Sequence, residues 1–332
     1  MIEIHWQLLP VSCSQSPARE LGDPRCSKGL SRRKAVTFQI RRARPSDRDD
    51  IEALADRAAY RSPDLAPWED CLEAPGFVVA ELDGKLVGAL LAKTDVGPVA
   101  WVRTAVVTNR LVVADWIRES LGAILPSLAA GGVDALAWMD CQGWASPSLR
   151  KCGFRRTDRV ITLTKADRTT PRLSATKVTL RRATEHDYGI IAGIDRAAFE
   201  PLWWRSEESV RHRAATASRF VVAALEGKVV GYAEREQHAS EGHVNRLAVL
   251  PSQQERGIGG TLLRTTLEQL WDRSAEIVSL NTQATNGASR RLYEKFAFAP
   301  TGDYATVWTL ALNRAAQAPS SPPGHRAHAP SG

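Results

Sequence analysis

Val244-Asn-Arg-Leu-Ala-Val-Leu250, then Pro251-Ser-Gln-Gln-Glu-Arg-Gly-Ile-Gly259, then Gly260-Thr-Leu-Leu-Arg-Thr-Thr-Leu-Glu-Gln-Leu270 is the stretch on which the fold turns. The first part reads as a strand, the last as an amphipathic helix, and a glycine loop joins them. That order gathers unpaired backbone N–H groups and the positive end of a helix dipole at one point, where glycines let a phosphate approach the main chain. The dinucleotide fingerprint G-x-G-x-x-G fails, because Leu262 stands at its third glycine, and no G-K-[ST] follows as a P-loop requires. A multiply charged phosphate ligand other than NAD or a nucleoside triphosphate is expected.

Working outward, Ile277–Gln283 and Tyr304–Leu310 read as strands and Ala288–Lys295 as a helix. Upstream, a strand over Val178–Arg182 leads through Thr184-Glu185-His186-Asp187, side chains suited to a helix start, into a helix with Ile190, Ile191, Ile194 and Ala198 on one face. Phe220–Leu225 and Val229–Ala233 are apolar runs joined at Glu226-Gly227, a tight-turn signal. The fold class is mixed α/β, with a mostly antiparallel sheet flanked by helices.

The unit occurs twice. Ile40-Arg-Arg-Ala43 returns as Leu180-Arg-Arg-Ala183, Asp56-Arg-Ala-Ala-Tyr60 as Asp195-Arg-Ala-Ala-Phe199, and the run Phe77–Gly88 as the near-identical Phe220–Gly231. A period near 140 residues means duplicated domains, since solenoid repeats span about 20 to 50. The expected organisation is a tail over 1–36, a first domain over 37–168, a linker over 169–176, a second domain over 177–312 and a tail over 313–332. Both tails are rich in Ser, Pro, Arg and Gly without apolar periodicity and are expected to be disordered.

The formal charge of +7 invites a nucleic-acid reading, but its distribution opposes one. Residues 1–36 hold six Lys/Arg against three acids and residues 313–332 two against none, so five of the seven charges lie in the tails. No apolar run approaches the roughly 20 residues needed to span a bilayer. Cys13, Cys26, Cys71, Cys141 and Cys152 are scattered, with no C-x-x-C pair, so reduced thiols, a cytoplasmic setting and no metal are expected. The oligomeric state is not legible.

At the glycine loop the chain resembles the GNAT superfamily of N-acetyltransferases. The family's Q/R-x-x-G-x-G/A signature corresponds to Gln254, Gly257 and Gly259, preceded by the edge Leu247-Ala-Val-Leu-Pro251. Its second signature, N-x-x-A/S leading to L-Y-x-K-x-G-F, corresponds to Asn286-Gly-Ala-Ser-Arg-Arg-Leu-Tyr-Glu-Lys-Phe-Ala-Phe298, with Ala297 where the family often has glycine and a slightly altered turn expected. The resemblance implies acetyl-coenzyme A as cosubstrate. Backbone groups of Leu247, Ala248 and Val249 would meet the pantetheine arm and acetyl carbonyl. Gln254, Glu255, Arg256, Gly257, Ile258, Gly259, Gly260 and Thr261 would form the pyrophosphate cradle, while Asn286 and Ser289 would face the pantetheine. Tyr293 would protonate or stabilise the departing thiolate. The second domain also resembles the ribosomal-protein alanine acetyltransferase branch through Ala198-Phe-Glu-Pro-Leu-Trp203, but that branch's catalytic glutamate is replaced by Asn281, so its substrate is not carried over.

Acetyl transfer to nitrogen needs a neutral amine. His243 is the first candidate base, since it alternates onto one face with Asn245 and Leu247 and its ordinary pKa of about 6.5 suits the task. Glu241, Glu236 and Glu234 follow. Phe199, Trp203, Trp204 and Trp308 are candidate walls for the acceptor. In the first copy, Val112, Asp115 and Ile117 stand where Gln254, Gly257 and Gly259 stand in the second, and the tyrosine's counterpart is missing from Ser148-Leu-Arg-Lys-Cys-Gly-Phe154. Bulky and acidic side chains there oppose a pyrophosphate, so this copy is expected not to bind acetyl-coenzyme A. The expected activity is acetyl transfer to a primary amine of a small molecule or a peptide terminus; the rival is a non-catalytic acyl-coenzyme A-binding regulatory protein.

Overall fold

The computed structural model describes residues 37–62, 68–216 and 218–312, so the readings for both tails lie outside the described residues. The first repeat runs β1 (Gln39–Arg42), α1 (Arg48–Arg57), β2 (Tyr60–Arg61), β3 (Phe77–Leu82), β4 (Lys85–Thr94), β5 (Val99–Val107), α2 (Val113–Ala130), β6 (Ala135–Asp140), α3 (Ser146–Lys151) and β7 (Arg155–Lys165). The second runs β8 (Thr179–Arg182), α4 (Tyr188–Ala198), α5 (Glu207–Ala215), β9 (Arg219–Leu225), β10 (Lys228–His238), β11 (Glu241–Val249), α6 (Ile258–Trp271), β12 (Ile277–Gln283), α7 (Gly287–Lys295) and β13 (Ala299–Ala311).

Local chemistry explains the shared plan. In each repeat a carboxylate closes the first helical turn: Asp187 accepts from the Thr184 backbone at 2.7 Å and takes both Arg181 nitrogens at 2.7 and 2.8 Å, while Asp47 accepts from the Arg44 backbone at 2.8 Å and takes Arg41 at 2.7 and 2.9 Å. These bonds satisfy N–H groups that a helix start leaves open. Glu226 and Gly227 both have positive φ, 50° and 79°, the conformation a two-residue hairpin turn requires. On α6 the side chains of Leu262, Leu263, Leu267 and Leu270 are fully buried, each contributing about 1.5–3 kcal/mol over an exposed position. The helix face read over α4 is partly corrected. Ile191 and Ile194 point inward with Asp195, whereas Ile190 is 47% exposed because the helix starts at Tyr188 and turns that residue outward.

The strands form one continuous sheet in the order β1-β3-β4-β5-β6-β13-β7-β12-β11-β10-β9-β8, with β2 beside β5. All neighbours are antiparallel except β5 with β6 and β11 with β12. The last strand of each repeat lies among strands of the other. β7 pairs with β12, placing Thr162 opposite Asn281, and β13 inserts between β6 and β7, placing Trp308 opposite Trp138. Trp308 therefore belongs to the core of the first repeat, 4% exposed and donating to Ser146 Oγ at 3.1 Å, and it is not among the residues lining the cleft described below.

Candidate active site

The two parallel strand pairs separate partway along. β11 is paired with β12 from Glu241 to Val244 and no further, so Asn245 to Val249 leave that edge unpaired and a cleft opens against Asn281, Thr282 and Gln283. The cleft is lined by both repeats: Asp95, Val99, Trp101 and Arg103 from the first, and Asn245, Arg246, Leu247, Asn286, Ser289 and Tyr293 from the second. Phe199, Trp203 and Trp204 line it as the sequence suggested. They sit on the chain between α4 and α5, pinned to the first repeat where Trp101 Nε1 donates to the Leu202 carbonyl at 2.9 Å and Trp101 meets the Trp203 ring at 5.4 Å.

At the end of β11 the glycine loop enters α6. Gly257 is the N-cap with φ 79°, left-handed backbone that a side chain would strain, and no side chain caps the helix. The first amides of α6, on Ile258, Gly259 and Gly260, have no partners in the helix and are open to an anion, as at any helix start. Gln254 ties the loop back by donating from Nε2 to the Val249 carbonyl at 3.0 Å. Glu255 also has positive φ, 62°, while Glu255 and Arg256 are exposed and Thr261 Oγ1 donates to the Gly257 carbonyl at 3.2 Å. The glycines have a second reason for their size. A Cβ at Gly257 would meet Thr176 at 3.2 Å and one at Gly260 would meet Leu173 at 3.3 Å, so the linker packs across the helix start.

Asn286 caps α7 by accepting from Ser289 N at 3.0 Å, which places Ser289 and Tyr293 on the helix face turned to the cleft. Tyr293 is buried, and burial pushes its hydroxyl up to about 12 despite its hydrogen bond with Ser289 and the nearby Arg246 charge. It stays protonated at neutral pH and can donate a hydrogen bond to a neighbouring anion. Ala297, three residues after Glu294, adopts the left-handed backbone at φ 58°; the turn is the one a glycine would make, taken by an alanine at a cost of about 1 kcal/mol.

The candidate bases are placed away from this face or are already engaged. His243 is 4% exposed, with Nδ1 2.8 Å from Ser279 Oγ, and is not among the cleft-lining residues. Burial lowers its pKa to about 4, against the opposing pull of Glu236 and Glu234. The face it was assigned holds only in part. The β10 partners step from Arg235–Val244 to Glu234–Arg246, so Asn245 is an inserted bulge residue and Leu247 falls on the α6 side with Val244. Glu241 stands at the start of β11, remote from the opening. Glu234 and Glu236 are buried in a cluster with Arg205, Arg213 and Ser218. Burial pushes the Glu234 carboxyl up, and Arg205 and Arg213 reverse this, holding it well below the usual carboxylate range.

Two consequences are measurable. Glu234→Ala leaves Arg205 and Arg213 without their shared partner, and thermal or denaturant unfolding should show a loss of about 3 kcal/mol, whereas an exposed pair such as Arg211–Glu207 is worth well under about 1 kcal/mol. For His243, the folded state resists protonation between pH 4 and 6.5, where the unfolded chain accepts it. Stability contributed by neutral His243 is thus complete above the ordinary value of about 6.5 and falls as pH drops toward 4, by roughly 3 kcal/mol. His243→Gln should flatten that part of the pH–stability curve.

Sequence reasoning missed the carboxylate that organises the cleft wall. Asp195, fully buried on α4, accepts from Tyr232 Oη at 2.6 Å, from Arg246 at 2.8 and 3.0 Å and from the Arg205 backbone at 3.0 Å. Arg246 in turn donates to the Trp203 carbonyl at 2.5 Å and lies 3.8 Å over the Phe199 ring, so one ion pair fixes both the β11 bulge and the aromatic loop. The signal was the repeated Asp-Arg-Ala-Ala-aromatic string, read only as evidence of duplication.

In the first repeat, β5 also leaves β6 after Trp101. The space is filled by indoles: Trp116 is fully buried, 6.5 Å from Trp144, which lies 6.0 Å from Trp138 and 5.6 Å from Tyr60. Asp115 sits in the first turn of α2, paired with Arg118 at 2.9 Å.

Comparison with known proteins agrees with this architecture. The acetyltransferase (GNAT) family profile matches residues 190–298. An N-alpha-acetyltransferase of Sulfolobus acidocaldarius is 33% identical over 132 residues, 36% of this chain and 78% of that protein. A mycothiol acetyltransferase of Nocardia farcinica is 29% identical over 249 residues, 68% of this chain and 80% of that one, and so spans both repeats. Among solved structures, a tandem GNAT protein from the clavulanic acid biosynthesis pathway shares the fold, with TM-score 0.58 at 15% identity, covering 86% of this chain and all (100%) of that one. The chain belongs to the GNAT acetyltransferase family and is an acyltransferase with two tandem GNAT units. Among the described residues no helix is long and apolar enough to cross a membrane.

Proposed function

We propose that the second repeat transfers an acetyl group from acetyl-coenzyme A to a primary amine of a small molecule or a peptide terminus by direct attack, within a cleft roofed by the first repeat. The observation that carries this reading is the coincidence of three features along one unpaired edge: the uncapped start of α6, the open backbone of Asn245 to Val249, and the buried Tyr293 hydroxyl. The amides of Ile258, Gly259 and Gly260 suit a diphosphate, the strand edge suits an amide-bearing arm, and Tyr293 holds a proton for a departing thiolate.

Among the described residues that line the cleft, the carboxylate is Asp95, and it is already engaged by the Ser206 backbone and hydroxyl. His243, at about 4 and behind Ser279, does not titrate near neutrality. The amine therefore binds neutral, after losing its proton to water, and kcat/KM should climb with pH toward the acceptor's own pKa, near 10 for an alkylamine, without an inflection near 6.5. A sharp inflection near 6.5 that His243→Gln removes would restore His243 as the base.

The indole cluster between β5 and β6 supports a first repeat without a donor site. Because β7 and β13 are each held among strands of the other repeat, the test uses the full chain. Calorimetric titration with coenzyme A should give one site per chain, and coenzyme A release on mixing with acetyl-coenzyme A and a panel of amines should depend on the amine. Two equivalent sites would overturn the assignment of the first repeat; tight binding with no release on any amine would favour a regulatory role.

A further inference from the structure

The two repeats keep the same irregularity at the point where their parallel strands part. In the second, the inserted bulge residue on β11 is Asn245; in the first, the β4 partners step from Leu91–Thr104 to Ala92–Val102, so the inserted residue on β5 is Arg103. A bulge residue makes no ladder pair and its side chain is aimed anew. Both side chains line the one cleft between the repeats.

Each also carries a buried polar atom with no partner. Arg103 is 8% exposed, its Nε has no hydrogen bond, and among the described residues it makes no ion pair. Asn245 Nδ2 leans on Glu234 at 3.3 Å, which orients the amide, and its Oδ1 has no partner. The neighbouring charges are engaged elsewhere: Arg246 with Asp195, Arg205 with Glu234, and Asp95, the carboxylate lining the cleft, with the Ser206 backbone at 3.1 Å and hydroxyl at 2.5 Å. A buried guanidinium without a partner is costly, and groups left unsatisfied in a folded chain call for something that completes them.

We propose that the acceptor is an amine that also carries an anionic oxygen group, a carboxylate or a phosphate, which Arg103 binds while Asn245 Oδ1 accepts a hydrogen bond from the amine. This rests on the reading of the second repeat as an amine acetyltransferase. The guanidinium fork matches either anion, and an acceptor so held presents its nitrogen beside the parting of β11 and β12. The first repeat thus supplies the specificity of a reaction carried out on the second. Burial, more than the repulsion of Arg205, already draws the Arg103 pKa down to about 10, against the pull of Asp95, consistent with a cation that an incoming anion would relieve.

The test uses the full chain with acetyl-coenzyme A and matched pairs of acceptors, L-alanine against alaninamide and O-phosphoethanolamine against ethanolamine. At least one acid should exceed its uncharged counterpart by tenfold or more in kcat/KM referred to the concentration of neutral amine, with the pair responding identifying carboxylate or phosphate. Arg103→Gln should bring that ratio near one through KM while the Kd for coenzyme A stays within twofold, and its Tm should equal or exceed that of the parent, since an unpaired buried charge is removed. A preference for the uncharged member of both pairs, an equal loss on acid and amide, or a lower Tm in Arg103→Gln overturns the proposal. Absence of turnover on every amine would count against the acetyltransferase reading instead. The inference is then read by thermal shift in the presence of coenzyme A: stabilisation by the acid alone, lost in Arg103→Gln, supports it, and no shift with either acid sinks it.

Discussion

Gly259→Asp should weaken coenzyme A binding about a thousandfold, roughly 4 kcal/mol, while leaving the protein as stable as before or more so. The two effects part because of where the residue sits. A Cβ at Gly259 would find Leu292 at 3.6 Å and Leu247 at 3.7 Å, ordinary contacts, so the backbone need not move. A carboxylate in the first turn of α6 also favours the helix dipole, worth about 0.3–1 kcal/mol. It does so by taking the place of the diphosphate and opposing its charge. Titration calorimetry and a melting curve on one preparation check both halves of the expectation. Lost binding with lost stability would point to a packing role for the glycine.

The second large effect is expected at Tyr293. Tyr293→Phe removes the proton donor and keeps the ring that packs 6.0 Å from Phe298, so kcat should fall by about 10² to 10⁴ with the coenzyme A Kd little changed. Because burial holds the hydroxyl near 12, the parent should show no loss of rate from Tyr293 ionisation as pH rises through 9 or 10. Unchanged turnover in the phenylalanine variant, measured by stopped coenzyme A release, would reduce Tyr293 to core filling.

The legible part of this molecule was local. Periodicity gave the run of strand, loop and helix over Val244–Leu270, because the face of a strand or helix is written in consecutive residues, and the observed β12 agrees in both bounds with the strand read over Ile277–Gln283. Neighbours across the sheet were not legible. Nothing in β13 says that it pairs with β6 of the other repeat, and the misplacement of Trp308 follows directly from that exchange. The bulge was equally hidden. One inserted residue at Asn245 sends Leu247 to the opposite face from the one strict alternation gives, and with it the shared face assigned to His243. The meaning of Arg103 depends on an insertion in β5 and on a loop about 100 residues away, Leu202 to Arg205, that lines the same cleft. The Asp195–Arg246 pair likewise joins residues 51 apart. Even the glycine loop had a second reading that only the fold supplies, since the linker side chains of Leu173 and Thr176 lie against Gly260 and Gly257.

The most direct test of the central claim is a crystal structure of the full chain with coenzyme A. The diphosphate should lie within hydrogen-bond reach of the Ile258, Gly259 and Gly260 amides and the thiol at the parting of β11 and β12, beside Tyr293. Coenzyme A seated between β5 and β6, or a start of α6 that contacts no phosphate, would contradict it.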